Sequence, residues 1–252
     1  MSQHFGHDPH DPHDPHDAHR PHDAYDAYVE TLPSGACRAQ LLDLPGCFAI
    51  AQDVPAALAA LEARIPAYYD WLRSHDEYTP IVAGPFRVRA KDVQEVAGPL
   101  PYQADAFFGP DADPVNIEDL DWLLALLEWS LDDLLALGES IPPSARDIPT
   151  CAGPLPNELL RQAATAQAGY LILLNAQPAD PTAAITLPDA PPLEQLREVR
   201  AVSLRRLRNV SEQDRDRVFE ILGQRWSLRK ILRCGILSAR MYADALADAA
   251  PE

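Results

Sequence analysis

Two hydrophobic patterns follow one another along this chain. Short strand-like runs punctuated by Gly and Pro come first, and long helical stripes come second. Residues 25–32 and 37–42 read as strands around the turn Pro33-Ser34-Gly35, and residues 47–51 follow the break Leu44-Pro45-Gly46. Asp53 then stands as an N-cap before a helix over residues 54–63, with Pro55 in its first turn. Ile65-Pro66 interrupts that helix, which resumes through Tyr68, Tyr69, Trp71 and Leu72. A last strand over residues 86–90 completes a small α/β unit.

Beyond Phe107-Phe108-Gly109-Pro110-Asp111 the spacing becomes helical. Asn116 caps a long helix whose Glu118 and Asp119 suit its positive end. Its stripe is Ile117, Leu120, Leu123, Leu124, Leu127, Leu131, Leu134 and Leu135. A second helix covers residues 155–175, the Pro-rich stretch 178–192 is a long crossover, and a third helix covers 193–208. Trp226-Ser227 opens a fourth, with Ser227 as N-cap, running to residue 247. Four helices with one long connection predict a four-helix bundle. The expected class is therefore α+β: a tail over residues 1–24, an α/β domain over 25–100 and a bundle over 101–252.

Two resemblances attach to these units. The run Leu44-Pro45-Gly46-Cys47-Phe48-Ala49, between paired strands and an Ala- and Leu-rich helix, resembles the HicB-like fold. HicB proteins are often antitoxins, which implies a DNA-binding segment or a toxin partner, but here the chain continues into a bundle. Leu159-Leu160 through Gly169-Tyr170-Leu171, with Trp226-Ser227-Leu228-Arg229-Lys230-Ile231-Leu232-Arg233, resembles the DinB-like (YfiT-like) metalloenzyme family. That resemblance implies a divalent metal held by three histidines, one on the second helix and an H-x-x-x-H pair on the fourth. It also implies hydrolase or thiol-dependent transferase chemistry where such a metal is held. The implied ligand positions are Gln162, Ser238 and Tyr242, and none is an imidazole. Amide, hydroxyl and phenol hold transition metals poorly, but they hydrogen-bond a ligand or one another well.

In a ligand site Tyr242 would act as hydrogen-bond donor or weak acid and Gln162 would polarise a carbonyl; otherwise the three form a satisfied polar network. Cys234, one turn before Ser238, invites a nucleophile reading. No bundle histidine is present to act as its base, which favours a buried structural thiol.

Charge and composition exclude further classes. The formal charge of −17 is spread along the chain and repels phosphate backbones, so nucleic acid is not an expected partner. Residues 197–233 are rich in Arg but alternate it with acids, as a salt-bridged solvated face does. The best apolar run, residues 122–127, falls far short of the roughly 20 residues of a membrane span. Four scattered cysteines without a C-x-x-C pair, and no apolar leader, predict a reducing cytoplasm. Cys37 and Cys47 lie on neighbouring predicted strands, but the rarity of cytosolic disulfides argues against a bond.

Of the 8 histidines, His4, His7, His10, His13, His16, His19 and His22 recur every third residue in a His-Asp-Pro tail. In a polyproline II helix they would line one face at about 9 Å per turn, a plausible weak site for Ni, Zn or Cu if the tail bends. His75, beside Asp76 and Glu77, reads as an exposed residue in a charged turn.

Three functions are compatible with these features. The first is a metal-independent small-molecule-binding protein or enzyme that uses the bundle cavity. The second is a metal-handling or metal-dependent hydrolase or transferase whose imidazoles come from the tail. The third is a non-catalytic interaction module, in which a homodimer covers an open strand edge.

Overall fold

The computed structural model describes residues 24–33, 35–77, 79, 85–96, 106–148, 153–175, 187, 189–221 and 223–249. It is a mixed α+β molecule, a small sheet followed by a helical part. No helix among the described residues is long and apolar enough to cross a membrane. The expected His-rich tail, most of the crossover and Cys151 lie outside the described residues.

Strands β1 (Tyr25–Thr31), β2 (Cys37–Leu41) and β3 (Phe48–Ala51) form an antiparallel meander. Helix α1 (Val54–Ser74) crosses over to β4 (Val88–Glu95), which pairs parallel with β1, giving the order β3-β2-β1-β4. The β2–β3 connection is built by Leu44-Pro45-Gly46-Cys47. Cys47 N–H donates to Leu44 O at 2.8 Å, and Gly46 sits at φ +89°, the left-handed position that a turn with Pro before it reserves for glycine. Asp53 caps α1 through a 2.8 Å bond from Ala56 N–H, as its side-chain chemistry predicts.

Pro66 does not interrupt α1. It lies on the exposed face, where the carbonyl left without an intrahelical donor can be hydrated, while Leu61, Ile65, Tyr68, Tyr69 and Leu72 continue one buried stripe.

The alternation of β1 and β2 sends two different sets of side chains to the two faces of the sheet. Tyr25, Ala27, Val29, Cys37, Ala39 and Leu41 pack in the apolar core with α1. Glu30, Arg38 and Gln40 point the other way and are nevertheless 2 % exposed or less, because the helical part covers that face too. The edge strand β4 is mostly exposed and carries Arg89, Lys91, Asp92 and Glu95, charges that discourage strand addition. Cys37, Cys47 and Cys234 are free thiols.

The helical part contains α2 (Ile117–Ser140), α3 (Pro156–Asn175), α4 (Pro192–Arg208), a single turn α5 (Glu212–Arg215) and α6 (Leu228–Ala249). Asn116 caps α2 through Asp119 N–H, and Ser227 caps α6 through Lys230 N–H. Helix α2 packs on α6 and α4, and α3 packs on α4 and α6. A hairpin of β5 (Val218–Ile221) and β6 (Gln224–Ser227), turned by Gly223 at φ +77°, leads directly into α6. One apolar core runs without a break from Tyr25 and Leu61 in the sheet part to Leu127, Leu160 and Leu246 in the helices.

Candidate functional site

Between the sheet and α6 lies a layer of charge. Arg38 pairs with Glu30, both fully buried, with Nε donating at 2.8 Å, and Glu30 also accepts from Ala106 N–H at 3.2 Å. Arg233 of α6 reaches across to Asp111 through Nε at 2.9 Å and Nη2 at 2.7 Å, and donates to Gln40 Oε1 at 3.1 Å and Ala106 O at 3.3 Å. Each guanidinium here is matched by a carboxylate and further acceptors, so the layer fixes how the sheet sits on the helices.

The bundle positions implied by resemblance behave differently from one another. Ser238 is 1 % exposed and Tyr242 4 %, both inside the helical part. Gln162 is only half-buried and donates to Glu158 one turn earlier on α3, at 3.3 Å. The amide that meets Ser238 is Gln167, whose Nε2 donates to Ser238 Oγ at 3.0 Å and to Gly235 O at 2.9 Å. The amide of α3 that reaches the interior is thus Gln167, while Gln162 stays on the flank. Five residues along a helix turn a side chain by about 140°, from the flank to the core.

Beside Gln167 and Gly235 the free space is about 10 Å³, room for at most one water. Cys234 is buried, and burial pushes its thiol up against the opposing influence of Arg233 and Lys230, which favours the protonated form. The donors at the three implied ligand positions do not fit a transition metal. Among the described residues no three His, Cys, Asp or Glu side chains gather where they could share an ion.

The open space is elsewhere. A groove of about 480 Å³ opens between α1, α2 and α6, lined by Trp71, Asp133, Leu137, Arg240, Ala243 and Asp244 among others. That volume is in the range of small-molecule sites. One aromatic ring, Trp71, lines it, and an aromatic cluster backs that ring. Trp71 donates from Nε1 to Asp133 Oδ2 at 2.6 Å, and the ring of Trp129 meets Trp71 edge-on and Trp122 beyond it. His75 stacks on Trp129 with ring centres 5.0 Å apart and planes 9° apart, 3.3 Å from Asp133 Oδ2. It is therefore not the exposed turn residue its neighbours suggested, because the turn folds back against α2. Three of the four tryptophans and the one histidine outside the tail thus form one cluster behind the groove, which Trp71 alone of them lines.

The sequence did carry a signal for this cluster. Trp71 on α1 and His75 at its C-cap stand four apart, and Trp129 and Asp133 stand four apart on α2, so each pair lies on one side of its helix.

No family model, curated protein or solved structure matches this chain. The site therefore rests on its own geometry.

Arg240 forms the floor of the groove on the α6 side. Its guanidinium lies over Trp71, 3.9 Å from the ring centre, and Nε donates to Gly46 O at 3.2 Å. Tyr68 Oη donates to the neighbouring carbonyl of Pro45 at 2.9 Å. The Leu44-Pro45-Gly46-Cys47 turn is thus clamped by one side chain from α1 and one from α6. Burial holds Arg240 below its ordinary pKa, and burial also keeps the Tyr68 phenol neutral.

Proposed function

We propose that the chain is a metal-independent protein that binds a small organic ligand, and that the ligand sits in the groove between α1, α2 and α6. The carrying observation is the contrast in free space. About 480 Å³ is open beside Trp71 and Arg240, while about 10 Å³ remains beside Gln167 in the interior. An apolar wall with a few convergent polar groups is the usual build of such a site. The architecture is read as a HicB-like α/β unit joined to a DinB-like four-helix bundle. Support for the bundle comes from α2, α3, α4 and α6, each of which touches two of the others, and from the long α3–α4 connection. No residue is assigned a catalytic role.

A screen of small organic fragments by ligand-observed NMR tests the reading, run on the protein and on Ala247→Trp. Ala247 is exposed at the rim of the groove, so the indole would fill the space without disturbing the core. Fragments that bind the protein and are lost in Ala247→Trp support the groove. Fragments that bind both equally place the site elsewhere.

A second reading is favoured by the sequence repeat alone. The seven tail imidazoles are good donors for Ni, Zn or Cu. Elemental analysis of the full chain and of a form starting at Tyr25 separates the two: metal only in the full chain assigns it to the tail, and stoichiometric metal in the shortened form overturns metal-independence of the folded part.

A further inference from the structure

The polar groups that line the groove are not equally occupied. Asp133 accepts from Trp71 Nε1 and lies against His75, and Asp244 accepts from Arg64 Nη1 at 2.5 Å. Ser130 and Ser140 spend their hydroxyl protons on the carbonyls of Leu126 and Leu137, each at 2.7 Å. Arg240 is the exception. Among the described residues no carboxylate lies within ion-pair reach of it, and its one hydrogen bond, to Gly46 O, uses Nε. A guanidinium has five N–H donors, so both Nη groups remain to be satisfied.

We propose that the groove binds a small monoanionic carboxylate with an apolar body, the carboxylate taking both Nη groups of Arg240; this rests on the groove being the ligand site. The fork of a guanidinium matches a carboxylate through two parallel bonds. The Trp71 ring against the guanidinium and Gly46 O at Nε hold that fork in one orientation, which lowers the cost of ordering it on binding. Beyond the fork the lining is Ala136, Leu137, Ala243 and Ala247, a surface for the apolar body.

Two features restrict the charge of the ligand. Leu137 and Ser140 belong to the last turn of α2, and Ala247 to the last turn of α6, so the negative ends of two helix dipoles lie beside the groove. Together with Asp133 and Asp244 they disfavour a dianion such as a phosphate monoester. An organic cation at the fork would be repelled by Arg240, and the nearby carboxylates already have donors.

The test compares three probes of one shape by isothermal titration on the full chain: 4-phenylbutyrate, 4-phenylbutan-1-ol and 4-phenylbutylamine. The carboxylate is expected to bind roughly tenfold or more tighter than the alcohol, the scale of a charge-assisted hydrogen-bond pair, with the amine weakest. Arg240→Gln should remove that advantage while the alcohol binds as before, and Arg240→Lys, which keeps charge without the fork, should fall between. If Arg240→Gln does not fold, the ranking of the probes on the unaltered chain decides the matter. An alcohol or amine that binds as tightly as the carboxylate overturns the carboxylate assignment and leaves the groove standing. Carboxylate affinity unchanged in Arg240→Gln does the same. Failure of all three probes at millimolar concentration counts against the groove itself.

Discussion

Arg233 and Arg240 stand two turns apart on α6, within about 20° of the same face, yet they live in opposite circumstances. Arg233 is 4 % exposed and meets both oxygens of Asp111, the amide of Gln40 and the carbonyl of Ala106. Arg240 borders an open groove and has one carbonyl and an aromatic face. A guanidinium whose donors are all taken by the protein holds structure together. One whose donors are left over at a groove is available to something that arrives later.

Stability measurements separate these two roles most sharply. Asp111→Ala leaves Arg233 buried without its carboxylate and should cost about 3–5 kcal/mol in urea denaturation. Arg240→Met, which loses the guanidinium over Trp71 and the bond to Gly46 O but no ion pair, should cost only about 1–2 kcal/mol. Replacing Asp111 with Ala and Arg233 with Met together should recover part of the single-mutant loss, because the uncompensated charge is gone. Equal losses at the two arginines would break the comparison, making Arg240 as structural as Arg233.

Two glycines of positive φ carry the comparison into the backbone. An added Cβ at Gly46 would lie 2.6 Å from Arg240 Cδ and 2.9 Å from Ile236 Cγ2, whereas at Gly223, with φ +77°, nothing lies within 4 Å. Gly223→Ala should therefore lose only the left-handed penalty, about 1 kcal/mol, and leave the groove intact. Gly46→Ala adds the clash to that penalty and should lose about 2–3 kcal/mol. It should also shift the Arg240 Nε resonance in NMR spectra, which Gly223→Ala should not. A Gly46→Ala variant with an undisturbed Arg240 signal would show that the turn and the groove floor are independent.

The elements of this fold were largely legible in the sequence because caps and periodicity act locally. Asp53, Asn116 and Ser227 mark helix starts by the hydrogen bonds their side chains can make to nearby N–H groups. Pro66 misled because whether a proline breaks a helix depends on which face it occupies, and that is settled by what packs on the other side. The hairpin of β5 and β6 was hidden under its charges. Gly223 is not preceded by the Asn, Asp or Gly that marks a tight hairpin turn, and the Arg-rich stretch around it reads as a solvated, salt-bridged face.

The site was far less legible. Gln162 and Gln167 differ only in angle around α3, and nothing in the local pattern says which of two flanking amides meets Ser238. The groove depends on α1 meeting α2 and α6, through residues as far apart in sequence as Trp71 and Asp133 or Arg64 and Asp244. Trp71, Asp133 and Arg240 each look ordinary until that packing is in hand.

A pH-dependent effect concerns the two thiols that accompany these arginines. Burial raises the Cys234 thiol, and Arg233 and Lys230 oppose that rise, but Asp111 blunts their influence. Burial pushes Cys47 from the ordinary 9.0 up to about 12, with Arg240 and Arg64 opposing. A thiol whose folded pKa lies above its unfolded value contributes its full stability below pH 9.0 and loses it as pH rises toward about 12, because the unfolded chain ionises first. One pH unit into that window corresponds to about 1.4 kcal/mol for a single group. The stability difference between the protein and Cys47→Ala should thus narrow between pH 8 and pH 10, roughly by that amount, when urea midpoints are compared at the two values. In the Arg240→Met background the folded Cys47 thiol loses an attractive charge, and its ionisation should move higher still. An unchanged ionisation there would mean that the Arg240 charge is screened from Cys47 by solvent in the groove. Its field would then reach only what enters from the open side.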